Sequence, residues 1–261
     1  MLPTPCNNWC ALPHFLTAAL LTSAGVASAQ SGAGIYEGKP VPIGNGTART
    51  VVKSNGQGEV ISIGVVFTPE MLEGLPSAYQ GESPNFPYPL SMPTTGPATM
   101  VDHVLINWES EGHPPQKVYD VPHFDFHFYL VSPSERMKVS FGSPEESAAP
   151  EQQPSTDLLP EGYLLPPGTA VPQMGAHAID PTAAEFNQQP FTTTFIYGYY
   201  NRQQTFLEPM ISLAFLQSRP DFTSAVPRPQ AYSKPGPYPS SYSVKYHPAT
   251  NLYEVSLGEI R

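Results

Sequence analysis

The run Pro122-His123-Phe124-Asp125-Phe126-His127-Phe128-Tyr129 alternates chelating and aromatic side chains with a period of two. Successive side chains of a β-strand point to opposite faces, so this run reads as a strand sorted into two chemistries. His123, Asp125 and His127 line one face, and Phe124, Phe126 and Phe128 bury on the other. Two imidazoles and a carboxylate on one strand face are the material of metal ligation or acid–base chemistry.

The rest of the chain is written in the same idiom. Thirty-three prolines and only 13% charged residues describe short strands, turns and extended loops rather than long helices. Val51–Ser54, a turn at Asn55-Gly56 and Glu59–Phe67 form a hairpin signal. Thr68-Pro69 reads as a helix start, with Thr68 as N-cap. Val101–Trp108 reads as a strand before a turn at 109–115. Phe191–Leu216 reads as a second hairpin turning near Asn201-Arg202, and Tyr242–Leu257 as a last one around Pro248–Asn251. Residues 30–47 are Gly- and Ser-rich and read as a loose arm. Residues 143–157, poor in apolar side chains, read as a flexible surface loop. There is no internal repeat and no clear domain boundary within 30–261. The expected fold class is all-β, mainly an antiparallel barrel or sandwich with short helices and long Pro-rich loops.

The first 29 residues carry no charged side chain and hold the apolar run Phe15–Leu21. They end in Ala27-Ser28-Ala29, an A-x-A cleavage pattern, and so read as a secretory signal peptide. The apolar run falls short of the ~20 residues of a spanning helix, so stable membrane insertion is not expected. The expected location is secreted or periplasmic. Both cysteines, Cys6 and Cys10, lie in the segment to be removed, so the mature domain must rest on an ordinary core without disulfides. A net charge of -10 without a Lys/Arg cluster argues against nucleic acid as a partner. Asn45-Gly46-Thr47 matches a glycosylation sequon, which has meaning only in a eukaryotic host. There is no Gly-x-Ser-x-Gly elbow and no phosphate-cradling loop.

Several stretches together carry a family resemblance. They are Gly112-His113-Pro114-Pro115, Val118-Tyr119-Asp120, Pro122–Tyr129, Val171–Asp180, Phe191–Tyr199 and Phe206–Ile211. Over roughly residues 58–217 the chain resembles the bacterial domain-of-unknown-function family typified by a sigma-E-controlled protein of Thermus thermophilus. The resemblance implies a β-rich fold and self-association into a homo-oligomer. It implies no activity.

The chemistry must therefore come from the residues. His177 follows Met174-Gly175, and Glu208 interrupts an apolar strand, where a carboxylate is costly to bury without a partner. Two strands and a loop would deliver His123 or His127, His177 and Glu208 to one point. Histidines with a carboxylate suit zinc or another divalent transition metal. On a straight strand His123 and His127 stand ~13 Å apart at ~3.3 Å per residue, so a single ion takes both only if the strand bends. Asp125 with one of the two histidines is the easier pair, the third member orienting a ligand from behind. The candidate ligands are His123, Asp125, His127, His177 and Glu208.

These residues admit two functional classes. One is a secreted metal-binding domain in which the ion serves hydrolysis or elimination. The other is a non-catalytic oligomeric envelope protein or small-ligand binder whose His/Asp cluster is structural. A cluster with every donor and acceptor satisfied inside the chain would favour the second. Glu208 alone reads as a buried hydrogen-bonding group, His113 as shaping the Gly-His-Pro-Pro turn, and His103 and His247 as ordinary residues. Tyr197, Tyr199 and Tyr200 read as packing.

Overall fold

The computed structural model describes Met1 and residues 33–77 and 85–261. The chain divides into two units, residues 1–30 and 31–261, and every described strand belongs to the second. The signal-peptide segment lies outside the described residues.

Among the described residues fourteen strands form two antiparallel seven-stranded sheets. The first sheet holds β1 (Gly34–Glu37), β2 (Val41–Ile43), β3 (Gly46–Ser54), β4 (Val60–Phe67), β12 (Asp221–Ala225), β13 (Ser241–His247) and β14 (Leu252–Gly258). Its order is β1-β3-β4-β14-β13-β12, with β2 also on β3. The second holds β5 (Asn85–Ser91), β6 (His103–Glu109), β7 (His123–Tyr129), β8 (Ala170–Val171), β9 (Gly175–Ala178), β10 (Thr193–Tyr200) and β11 (Gln203–Ser212). Its order is β5-β6-β7-β11-β10-β9-β8. One sheet curls into a half-barrel. The all-β expectation holds, as do the three hairpins. The β10–β11 turn is two residues long, with Asn201 and Arg202 both at positive φ (47° and 67°). That is the backbone hand that matches the strands' own twist.

The period-two patterning explains the layers. Val52, Ile63, Val65, Phe67, Val244 and Val255 of the first sheet meet Val104, Ile106, Phe124, Phe126, Phe128 and Leu207 of the second in one core. Phe67 stacks on Phe126 across the layers, at 6.1 Å between ring centroids. Burying a side chain of this size stabilises by about 1.5–3 kcal/mol. The opposite face of the second sheet is buried as well. There Leu105, Tyr129, Ile196, Phe206 and Met210 pack under Tyr119 and Phe191, residues of the loops. Every residue of β7 is therefore buried, including the three chelating ones. A strand with one polar face does not need that face in water when loops cover it.

Two local expectations differ from the structure, and a third gains detail. Residues 34–47 are not a loose arm: β1 and β2 both pair with β3. Thr68 does not cap the 3-10 helix Pro69–Leu72, and its Oγ1 accepts instead from the Thr47 amide at 3.4 Å. Residues 143–157 carry a 3-10 helix, Pro144–Ala148, and Ser147 and Gln152 are buried. Ser147 donates to the Pro166 carbonyl at 2.6 Å and Gln152 to the Asn201 side chain at 2.9 Å, so polar residues here tie the segment to neighbouring turns. Among the described residues no helix is long and apolar enough to cross a membrane.

Candidate metal centre

The covered face of the second sheet is set by register. His127 of β7 faces Leu105 of β6, Asp125 faces Asn107, and His123 faces Glu109. On the other side Leu207 pairs with Phe128 and Met210 with Asp125, a register that puts Glu208 opposite His127. His177 of β9 pairs with Gly198 of β10, which pairs with Phe206 of β11. A Cβ on Gly198 would collide with the Phe206 ring, so glycine lets that ring lie between His127 and His177. Overpacking of this kind costs about 1–3 kcal/mol. Gly198→Ala is accordingly expected to lower stability by that amount, read as a reduced denaturant midpoint at unchanged slope.

The candidate residues gather into two groups, in each of which the ligand atoms lie within 4.8 Å of one another. The first joins His127, His177 and Glu208. His127 Nε2 is 3.3 Å from Glu208 Oε1, and His177 Nε2 is 3.9 Å from Glu208 Oε2. His177 donates its Nδ1–H to the Thr169 carbonyl at 2.9 Å, which leaves the Nε2 lone pair facing the carboxylate. The second joins His123 and Asp125 to His113. His123 Nε2 is 3.2 Å from Asp125 Oδ1, and His113 Nε2 is 3.9 Å from Asp125 Oδ2. The five candidate ligands are thus divided between two groups, with His123 and His127, four residues apart on β7, in different ones. Asp125 goes with His123.

The sequence pattern does not mark His113 as a ligand. Its turn suggests loop-shaping, and it does shape the loop: its amide donates to the Tyr119 carbonyl at 3.1 Å. The preceding Gly112 sits at φ 72°, where a Cβ would strike the same carbonyl. That tight turn aims the imidazole back at β7. Glu109 is equally inconspicuous, since on β6 it follows an apolar run with no chelating neighbour. Asp180 accepts from the backbone and side chain of Thr182 and joins neither group. His103 stacks on Tyr129 and pairs with Asp102. His247 lies 3.4 Å from Glu254, so neither belongs to a centre. Tyr197 and Tyr199 are core packing, as expected.

Electrostatics set these groups apart from a satisfied polar cluster. Glu208 is 1% exposed, and burial pushes its carboxyl well above the ordinary 4.5. Burial depresses His127 to about 3 and His177 to about 4, so both rings are neutral near pH 7. In the second group His123 is raised despite its desolvation, by the Asp125 charge, and His123 in turn holds Asp125 down at about 2. Desolvation and the Asp125 charge lift Glu109 to about 7. His123 Nε2, Asp125 Oδ1, both ring nitrogens of His127 and Glu208 Oε2 are buried without a hydrogen-bond partner. Glu208 bonds to neither a tyrosine nor the backbone, as a merely structural carboxylate would.

Residues 55–108 match the TTHB210-like family, described as "Hypothetical protein TTHB210". The match supports the resemblance carried by the motifs. The TTHB210-like segment spans β4, β5 and nearly all of β6, and stops one residue short of Glu109. None of the six ligands of the two groups falls within it. No curated protein and no solved structure matches the chain. A cavity of about 500 Å³, lined by Val52, Met92, Met100 and Lys234 among others, contains none of these ligands.

Proposed function

We propose that this is a secreted or periplasmic metal-binding domain that holds a divalent transition metal, zinc foremost, through His127, His177 and Glu208. The observation that carries this reading is the convergence of His177 Nε2 with His127 and Glu208 on one point, where the buried His127 Nε2 and Glu208 Oε2 atoms lack a hydrogen bond. A buried polar group without a partner costs about 1–3 kcal/mol, and beside two neutral imidazoles Glu208 has no positive charge to favour its ionised form. A cation answers all three at once. With metal–ligand bonds of ~2.0–2.1 Å, adjacent ligands of a tetrahedral zinc ion stand ~3.3 Å apart. The 3.3 and 3.9 Å separations between imidazole nitrogens and carboxylate oxygens accord with that span. Two nitrogens in the set favour a transition metal over calcium or magnesium, which prefer oxygen. The Thr169 carbonyl behind His177 supplies the outer hydrogen bond that fixes a ligating tautomer.

Elemental analysis of protein purified without chelator or His-tag tests the proposal. The expected result is bound zinc or a neighbouring transition metal, and metal-free protein that takes up none on titration refutes it. The location has its own test. Intact mass of the exported form is expected to begin at Gln30 and to contain no thiol, and a mass retaining residues 1–29 would overturn the secretory reading.

A further inference from the structure

We infer that His113, His123 and Asp125 form a second metal site, separate from the first, that takes a divalent transition metal and leaves it a coordination position open to exogenous ligands. His123 and Asp125 are 0% and 4% exposed, and His123 Nε2 lies 3.2 Å from Asp125 Oδ1 with neither atom hydrogen-bonded to any third group. Both histidines are held as ligands are. The Nδ1–H of His123 donates to the Val121 carbonyl at 2.6 Å, and that of His113 to the Pro114 carbonyl at 2.7 Å. Each Nε2 is thereby turned toward Asp125, and the rings meet nearly edge to face, 4.8 Å between centroids at 77°. A proton on His123 Nε2 can answer the Asp125 charge, and a divalent cation in its place would draw on both imidazoles and the carboxylate at once. Two imidazoles and one carboxylate make a transition-metal donor set, as in the first group.

The two sites differ in access. His127 and Glu208 are sealed under the loops and the His177 side chain is 16% exposed, whereas the His113 side chain is 35% exposed on its turn. A three-ligand site with one wall on a surface turn keeps a position for water or a small anion, the arrangement of catalytic rather than structural zinc. Glu109, opposite His123 on β6 and buried, is held by the Asn85 side-chain amide. It flanks the site as a second carboxylate, outside the set of three.

Cobalt(II) loading of the full-length exported protein tests this, because cobalt's visible bands report coordination. The expected results are two ions per wild-type chain, one in His113→Ala and one in His177→Ala. Azide is expected to shift the visible bands of wild type and His177→Ala and to leave those of His113→Ala unchanged. His113 lies on an exposed turn, so its truncation does not threaten the core, and Asp125→Asn provides a second variant of nearly equal shape that should also bind one ion. One ion in the wild type, kept by His113→Ala and lost by His177→Ala, overturns the second site and leaves the first standing. One ion lost by His113→Ala and kept by His177→Ala does the reverse. Two ions with bands indifferent to azide overturn the open position.

Discussion

Glu208→Gln is expected to abolish ion binding at the buried centre while leaving the metal-free domain nearly as stable as before. The reason is that burial already disfavours the charged form of Glu208 in the absence of a cation, so an amide of the same shape costs the metal-free fold little. A ligand that binds only the folded state stabilises it by mass action, by about 2.7 kcal/mol when free metal exceeds its dissociation constant a hundredfold. For a domain of this size that is about 5–10 °C in melting temperature. The variant should therefore lose about that much in the presence of metal and little in the presence of chelator. His127→Ala should show the same metal-dependent loss on top of a cavity cost common to both conditions. If Glu208 served only as a structural hydrogen-bonding group, both conditions would show equal losses. Equal losses, with no metal in the wild type, would dispose of the buried centre.

The sequence was most legible where periodicity did the sorting. The alternation in Pro122–Tyr129 gave β7 and both of its faces, and the repeated β-branched and aromatic residues of Val60–Phe67 and Thr193–Tyr200 gave strands that the sheets contain. The site was legible by type and only partly by grouping. His127, His177 and Glu208 do come together, because cross-strand register, which a single sequence does not print, sets Glu208 opposite His127. His113 escaped because its contribution depends on a turn folding back over the sheet, and turn residues such as Gly112 and Pro114 already had a conformational reason to be there. Residues 34–47 escaped for a different reason. Their strands are short, and β1 and β2 lie at the margin of the first sheet, where the hydrophobic pattern is weakest.

The stabilisation conferred by metal should grow as pH rises from about 5.5 to 8, and the sign is set by which groups must surrender a proton. In the metal-free fold Glu208 is held above its ordinary 4.5, and Glu109 is lifted to about 7. A carboxyl raised on folding favours the folded state below its unfolded value, and that advantage is lost as pH climbs toward its folded value. His123, raised above 6.5, acts in the same direction, its contribution fading as pH rises through its folded value. His127 and His177, lowered to about 3 and 4, act oppositely, but their loss of stability comes as pH falls from 6.5 toward those values. Metal-free protein is thus pressed from both sides. A bound cation removes the alkaline pressure, by neutralising Glu208 in the first group or by taking the place of the His123 proton in the second, and it competes with fewer protons at each step upward. The difference in melting temperature between metal-loaded and chelated protein is therefore expected to widen across this range. Titration calorimetry in buffers of different ionisation enthalpy should show about one proton released per ion at pH 7, where His127 and His177 are already neutral. A difference that stays flat with pH, together with no proton release, would mean that the ion binds somewhere other than at these carboxylates and imidazoles.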